Sequence, residues 1–264
     1  MLAQEVKPDT LVIPVDSSKI KIDTSGLVSD TLKAEVNYDT LSYSEEYKRD
    51  FWRTYFGGRV GLGQNSFKID ENFVDRQGSN GLPILDEKGQ IIKNAFINNK
   101  GFGTGFNGAV FFRFVRGSFY VQPELAYTLR AGKYDILNKD LSLYKRVNAA
   151  FGSVDVPILL GIRTKKTRVF FGPSTNFAFN MNKNFKNSLS EFMDIKLLNS
   201  NFFRRPVFNF QVGIGYELKG YFIDFRYDKG LSTYSARDIG PESSPQSFNL
   251  RTDGIFISIG ILGN

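Results

Sequence analysis

Between Trp52 and Leu262, apolar and polar residues alternate in about eight segments, the pattern expected of strands with two different faces. The connections are short after Phe114, Thr164 and Leu218, and long over 65–100, 131–146, 182–205 and 231–249. Short turns at one end and long loops at the other are typical of outer-membrane barrels. We therefore predict an all-β, eight-stranded antiparallel transmembrane β-barrel with short periplasmic turns and long extracellular loops.

The predicted strands lie near 52–64, 101–114, 119–130, 153–163, 168–180, 208–217, 221–228 and 255–261. In the first of them, Phe56, Val60 and Leu62 share one face, and Arg59 lies on the other. An even number of strands places both ends of the barrel domain on the periplasmic side, together with the short turns.

The polar face of these strands separates a membrane barrel from a soluble one. A strand face in contact with water is expected to carry Lys and Glu freely, but this face holds mainly Gly, Ser, Asn and Gln. Eight strands enclose an interior that side chains can fill, and the planar fork of Arg suits the binding of carboxylates. We predict a filled polar lumen with an ion-pair network of Arg59, Arg113, Glu124, Arg130, Asp155, Arg163, Glu217, Asp224 and Arg226. The alternative is a proton or ion path through these charges.

Two of the long loops contain signs of local structure. Ile84–Leu85 and Ile91–Ile92 flank a glycine turn, which predicts a hairpin above the membrane. Ser188-Leu189-Ser190-Glu191 has the form of a capping box ahead of an apolar run, which predicts the start of a short amphipathic helix.

Residues 1–50 differ in composition from the barrel domain predicted over 51–264. Asp, Ser, Thr and Lys are dense there, and the triplet Asp-Thr-Leu recurs at positions 9, 30 and 39. Such a segment is either a disordered periplasmic tether or one that adds strands to a partner's sheet edge. Its start has neither a basic nor a long apolar stretch, so we expect a signal peptide to have been removed, with Leu2 and Ala3 as its remnant.

The positive charge of the chain does not favour nucleic acid as a partner. The 264 residues carry a formal net charge of +7, which could suit an anionic polymer or membrane surface. The lysines, however, are scattered over loops and turns and form no basic helix or stripe. We therefore predict no nucleic-acid binding.

The residue types available argue against catalysis. The sequence contains no His and no Cys, so the usual nucleophilic triads are not available. Two acids could suffice for glycoside cleavage, but Asp86–Glu87 reads more simply as a solvated turn and Asp224 with Asp228 as a lumen pair. The sequence Gly103-x-Gly105-x-x-Gly108 matches a dinucleotide fingerprint but is followed by a strand, where the fingerprint requires a helix. We predict no enzyme, no cofactor and no metal site.

Several ordered motifs are similar to those of a known family. The segments at 122–127 (QPELAY), 154–160 (VDVPILL), 172–174 (GPS), 213–217 (GIGYE) and 224–231 (DFRYDKGL) resemble the PorT-like outer-membrane β-barrel proteins of Bacteroidetes. The resemblance covers roughly 52–262 and implies tolerance of Pro123, Pro157 and Pro173 inside strands, at bulges. It also implies an association with type IX secretion, although many members have no assigned role, and no site residues carry over.

These observations lead to one functional prediction and two alternatives. We predict a non-enzymatic integral outer-membrane barrel that is an accessory subunit of an envelope complex, in type IX secretion or outer-membrane protein assembly. Its partners would be outer-membrane lipids and proteins that contact residues 1–50 and the long outer loops. The alternatives are a stand-alone barrel for envelope stability or small-solute passage, and a soluble lipocalin-like binder.

Overall fold

A computed structural model describes residues 51–78, 80–194, 198, 202–204 and 206–263. Its strands are β1 (Arg53–Lys68), β2 (Asn72–Asp75), β3 (Lys93–Arg116), β4 (Phe119–Leu137), β5 (Leu143–Arg163), β6 (Thr167–Met181), β7 (Val207–Leu218), β8 (Tyr221–Gly230) and β9 (Arg251–Gly263). A short helix, α1 (Lys183–Leu189), lies between β6 and β7. The predictions made for residues 1–50 lie outside the described residues.

Antiparallel pairing closes the sheet into a ring. The order is β1–β9–β8–β7–β6–β5–β4–β3, and β1 pairs with β3 to complete it. Arg59 of β1, for example, lies opposite Ala109 of β3 and Gly260 of β9. Strand β2 pairs with the first residues of β3 and is not one of the eight strands of the ring. The predicted eight-stranded antiparallel barrel is confirmed for the described part of the chain.

Alternation along each strand produces an apolar outer face and a polar inner face. On β1, Phe56, Val60 and Leu62 point outward and are 53%, 52% and 65% exposed, while Arg59 between them is buried. A broad apolar outer face is what a lipid-facing barrel wall requires. Tight turns join β3 to β4, β5 to β6 and β7 to β8; we call their side of the barrel the turn end and the opposite side the loop end.

No helix in the described part of the chain is long and apolar enough to cross a membrane.

The long loop predicted over 131–146 is wrong. Strand β4 continues to Leu137 and β5 begins at Leu143, so only a tight turn joins them. Tyr134 and Ile136 still alternate inward and are buried; polar residues on the outer face masked this strand in the sequence. In the turn, the Ser142 hydroxyl donates to the Asp140 carboxylate at 2.6 Å, which lowers the pKa of Asp140.

The first loop contains the predicted hairpin. Leu85 lies opposite Ile91 in an antiparallel bridge, and the Gly89 amide donates to the Asp86 carbonyl at 3.0 Å. Gly89 has a φ of +74°, a conformation that glycine adopts without steric cost.

The predicted helix start at Ser188 is wrong. Helix α1 begins after Asn182, whose side chain accepts a hydrogen bond from the Phe185 amide, and it ends at the C-cap Ser190. The Ser188 hydroxyl donates to the Phe185 carbonyl at 2.7 Å, so it satisfies the helix's own carbonyl and caps no N-terminus. Within the predicted helix, Leu198 is helical and its amide donates to the Asp194 carbonyl at 3.0 Å. Residues 195–197 and 199–201 lie outside the described residues.

The prolines inside strands do not lie at bulges, which corrects the expectation for Pro123, Pro157 and Pro173. Around Pro123, the register continues unchanged from Phe111 opposite Glu124 to Phe114 opposite Val121. The two residue pairs between these are missing from the ladder, because proline has no N–H to donate. Each proline therefore opens a short gap in the ladder, and the strands keep their register across it.

At the loop end, the interior of the barrel changes from polar to apolar. All strands of the ring except β8 and β9 contribute, together with β2, α1 and the loops around them. Phe151 and Tyr234 have ring centroids 4.9 Å apart, as have Phe96 and Phe192. We call the following buried residues the apolar cap: Phe67, Ile69, Val74, Phe96, Tyr134, Ile136, Val147, Ala149, Phe151, Ala178, Phe185, Leu189, Phe192, Met193, Leu198, Phe202, Val207, Tyr234, Ile239, Phe248 and Leu250.

Candidate functional site

The interior of the barrel is the place where charged residues converge, and it falls into two clusters. The cluster nearer the turn end, the turn-side cluster, comprises Arg59, Arg113, Gln122, Glu124, Arg168, Glu217, Asp224 and Arg226. The cluster nearer the loop end, the loop-side cluster, comprises Arg130, Ser153, Asp155, Asn176, Asn209 and Asp228. Both result from inward alternation on neighbouring strands.

Glu124 is at the centre of the turn-side cluster. Its Oε2 accepts from Arg59 Nη2 at 2.8 Å and from Arg226 Nη1 at 3.0 Å. Its Oε1 accepts from Arg226 Nη2 at 2.9 Å and from Gln122 Nε2 at 2.5 Å. The carboxylate is fully buried, so these four bonds replace the water that it has lost.

The remaining acids of the turn-side cluster pair in the same way. Asp224 accepts from Arg168 Nη2 at 2.6 Å and from Arg226 Nη2 at 3.0 Å. Glu217 accepts from Arg113, and its Oε1 lies 3.4 Å from Arg168 Nε. Because Arg226 bonds both Glu124 and Asp224, the pairs form one connected network.

Aromatic rings complete the surroundings of the guanidinium groups. Arg168 lies 4.5 Å from the ring centroid of Phe222, and Arg226 lies 4.8 Å from that of Phe170. Arg113 lies 5.1 Å from the ring of Tyr120. A ring face attracts a cation over such distances, so guanidinium N–H groups without a carboxylate partner still have favourable contacts.

The loop-side cluster is built around Arg130. Its Nη2 donates to Asp155 at 2.9 Å and to Asp228 at 2.8 Å. Asn176 donates to Asp155 at 2.7 Å, and Asn209 donates to Asp228 at 3.0 Å. The two carboxylates are thus held by one cation and by neutral amide donors.

A polar link joins the two clusters. Asn107 accepts from Arg59 of the turn-side cluster and donates to the Thr128 hydroxyl at 2.7 Å. The Ser153 hydroxyl lies 3.4 Å from the Thr128 carbonyl and donates to Asp155 at 2.8 Å. Hydrogen bonds and ion pairs therefore run along the lumen with side chains in place of an open channel.

The structure brings eight of the nine predicted network residues into these clusters, the ninth being Arg163. Arg163 is only half-buried, and its guanidinium lies 5.9 Å from the ring centroid of Tyr55 at the turn end. Sequence reasoning left Arg168 and Asp228 out of the network, although both alternate inward. Asp224 and Asp228 do not form a pair, because they belong to different clusters.

Apolar residues close both ends of the lumen. At the turn end, Val115, Tyr120, Leu159 and Phe170 form a small buried group, with Tyr55 packed against it. At the loop end, the apolar cap covers the loop-side cluster, and Tyr234 of the cap lies near Arg130. The charged layers are therefore enclosed between two apolar layers.

The chemistry of the lumen is that of structural pairing. Among the described residues, no group of three or more carboxylates is placed to hold a metal ion. Asp86 accepts from the amides of Lys88 and Gln90 in an exposed turn, where it stabilises the hairpin. The glycines of the dinucleotide-like motif, Gly103 to Gly108, lie within β3 and precede no helix.

One family model and two solved structures of outer-membrane proteins are similar to this chain. A family model described as "Outer membrane protein beta-barrel domain" matches residues 53–235. The crystal structure of Neisserial surface protein A aligns with 12% identity and a TM-score of 0.35, over 80% of this chain and 99% of that one. The solid-state NMR structure of the outer membrane protein AlkL in DMPC bilayers aligns with 16% identity and a TM-score of 0.33, over 78% of this chain and 90% of that one. Among curated proteins, no match was found.

The family match covers more than half of the chain and includes strands β1 to β8. In barrels of this kind the short turns face the periplasm and the longer loops face outward, so the turn end is periplasmic and the loop end extracellular. The chain belongs to the outer membrane protein beta-barrel domain family and is an integral protein of the outer membrane.

Proposed function

We propose that this protein is a non-enzymatic, non-conducting barrel that serves as an accessory subunit of an envelope complex. The observation that carries the proposal is the filled lumen, closed by apolar residues at both ends. A barrel that neither conducts solutes nor catalyses a reaction would act through surfaces that bind other proteins. In this view the barrel anchors contact surfaces on both sides of the membrane.

Exposed apolar side chains on the extracellular loops support a protein contact there. Leu82 and Leu85 in the first loop, and Leu141 and Leu143 at the β4–β5 turn, are all more than half exposed. They lie beyond the membrane wall, so lipid does not account for them. Large apolar side chains of this kind are costly in water and are enriched where partners bind.

The proposed setting is type IX secretion or outer-membrane protein assembly. The resemblance of 122–127, 154–160 and 224–231 to PorT-like proteins supports the first of these. Residues 1–50 would supply the periplasmic contact, either as a tether or as a segment that adds strands to a partner.

The test is affinity capture of the tagged protein from native outer membranes in mild detergent, with its companions identified by mass spectrometry. We expect stoichiometric partners for the wild type and weaker capture after deletion of residues 4–45. Capture should also weaken for Leu82→Ser/Leu85→Ser, but not for the control Lys88→Ser in the same loop. A protein that is recovered alone would contradict the accessory role and favour the alternative below.

The alternative is a stand-alone barrel that stabilises the envelope. The density of buried ion pairs around Glu124 and Arg130 favours it, because a rigid barrel needs no partner to stay folded. Deleting the gene would then weaken the envelope without affecting any secreted or assembled protein.

A further inference from the structure

Three cations lie side by side on the outer wall of the barrel, on adjacent strands near the extracellular end. They are Lys68 on β1, Lys229 on β8 and Arg251 on β9. Lys68 lies opposite Arg251 in the ladder, and Lys229 lies opposite Asp253. The register therefore places all three around the single carboxylate of Asp253.

Asp253 orients the two lysines. Its Oδ2 accepts from Lys68 Nζ at 2.6 Å and from Lys229 Nζ at 3.0 Å. The carboxylate side chain is 11% exposed, whereas the lysine side chains are 55% and 43% exposed. The ammonium groups are thus held in place by a buried anion and remain open to the outside.

Arg251 adds an unneutralised charge. Its side chain is exposed and forms no ion pair with the described residues. Three cations and one carboxylate leave a net charge of +2 on this patch. A guanidinium fork beside two ammonium groups is a donor set that suits a phosphate group.

The patch lies where the lipid-facing surface ends. Toward the membrane on the same strands, the outer face continues with Ile255 and Ile257 on β9 and, beyond Ser66 and Gln64, with Leu62 on β1. Tyr227 lies two residues before Lys229, and aromatic residues mark the interface of outer-membrane barrels. The cations therefore lie at the level of lipid headgroups in the outer leaflet.

We propose that Lys68, Lys229 and Arg251 form a binding site for the phosphate group of a lipid in the outer leaflet. The acyl chains would lie along the apolar wall of β8, β9 and β1, and the phosphate would bridge the three cations. Electrostatic attraction of basic residues to anionic headgroups is short-ranged, so the boundary position is what makes the patch effective.

The test uses the purified full chain in neutral detergent micelles with lipid A added as the probe. Bound lipid A is quantified by mass spectrometry, and thermal unfolding is followed in parallel. The site variant is Lys68→Gln/Lys229→Gln/Arg251→Gln. The control, Lys88→Gln/Lys139→Gln/Lys183→Gln, removes the same charge from extracellular positions outside the patch.

We expect the wild type and the control to bind lipid A and to unfold at a higher temperature with it. Binding should weaken about fivefold for each cation removed. If the triple site variant fails to fold, Arg251→Gln alone serves, because it breaks no ion pair among the described residues. Equal lipid A binding by the site variant and the control would overturn the proposal.

Two further arms identify the source of the phosphate. Dephosphorylated lipid A should bind no better to the wild type than to the site variant. Inorganic phosphate at millimolar concentration should neither stabilise the barrel nor displace lipid A. If inorganic phosphate alone stabilised the barrel, the three cations would form a site for a free anion and not for a lipid.

Discussion

At the scale of single residues, Glu124 shows what a buried charge in this lumen requires. Two arginines and one glutamine bind its carboxylate, and all these groups are buried. Removing one partner of a buried pair leaves the others uncompensated, which costs much more than an exposed pair contributes. The stability of the barrel therefore depends on each of these side chains more than on any surface charge.

We expect Glu124→Ala to destabilise the folded barrel by about 3–5 kcal/mol, because Arg59 would remain buried without an acid and Arg226 would keep only Asp224. The measurement is the temperature at which the folded band disappears on a heat-modifiability gel. Glu87→Ala, in the exposed hairpin turn, is the control and should change nothing. An unchanged unfolding temperature for Glu124→Ala would show that this pairing does not stabilise the barrel.

The sequence predicts which residues enter the lumen better than it predicts how they pair. Period-two alternation identifies which charged residues point inward, and Arg59, Glu124 and Arg130 follow from it directly. It does not reveal which acid meets which base, because partners such as Arg226 and Glu124 are 102 residues apart. Arg163 also alternates inward, but it is the last residue of β5, at the turn end of the barrel. No carboxylate of the described residues pairs with it there.

At the scale of elements, two neighbouring glycines on β1 offer a matched comparison. A Cβ at Gly57 would point inward and lie 2.6 Å from the Ile261 carbonyl oxygen and closer still to the Phe111 ring. A Cβ at Gly58 would point outward, with its nearest neighbour, the Ala109 carbonyl oxygen, at 3.6 Å.

We therefore expect Gly57→Ala to destabilise the barrel by about 1–3 kcal/mol and Gly58→Ala to leave it unchanged. Urea unfolding of the two variants in lipid vesicles, monitored by the intrinsic fluorescence of the barrel, would compare them directly. Equal midpoints would mean that the β1–β9 contact is looser than its geometry implies.

Helix α1 tests whether the apolar cap is a cooperative unit. Phe185 is fully buried and packs against Phe67, Tyr134 and Phe202. We expect Phe185→Ala to destabilise the cap by about 3–5 kcal/mol, seen as faster proteolysis at the loop end. Asn184→Ala, on the exposed side of the same helix, should be cut no faster than wild type.

If Phe185→Ala also lowered the unfolding temperature of the membrane strands, cap and barrel would unfold as one unit.

The extent of the apolar cap is not evident from the sequence. Lys133 and Asp135 on the outer face of β4 resemble loop residues, because the wall no longer faces lipid there. The inward-facing Tyr134 and Ile136 continue the alternating pattern of β4. Only closure of the ring, however, brings them together with α1.

At the scale of the whole molecule, the closed lumen predicts a barrel that does not conduct ions. In planar bilayers, the purified protein should produce no reproducible unitary conductance steps, because two charged layers and two apolar layers fill the interior. Small channels of constant amplitude would contradict the filled lumen and would favour solute passage.

The absence of cysteine from the sequence makes the orientation of the barrel directly testable. Lys139→Cys, in the β4–β5 turn, should react with a membrane-impermeant maleimide on whole cells. Lys165→Cys, in the β5–β6 turn, should react only after the outer membrane is permeabilised. The reverse result would invert the assignment of the turn end to the periplasm.

The unequal lengths of the strands have a consequence for what the cell presents to its surroundings. Strand β3 has 24 residues, whereas a tilted strand needs only about 9–11 to cross the bilayer. The excess of β3, with its neighbours β4 and β5, rises roughly 30 Å above the lipid. An antibody or phage approaching the cell would therefore meet the projecting ends of these three strands before it met any lipid.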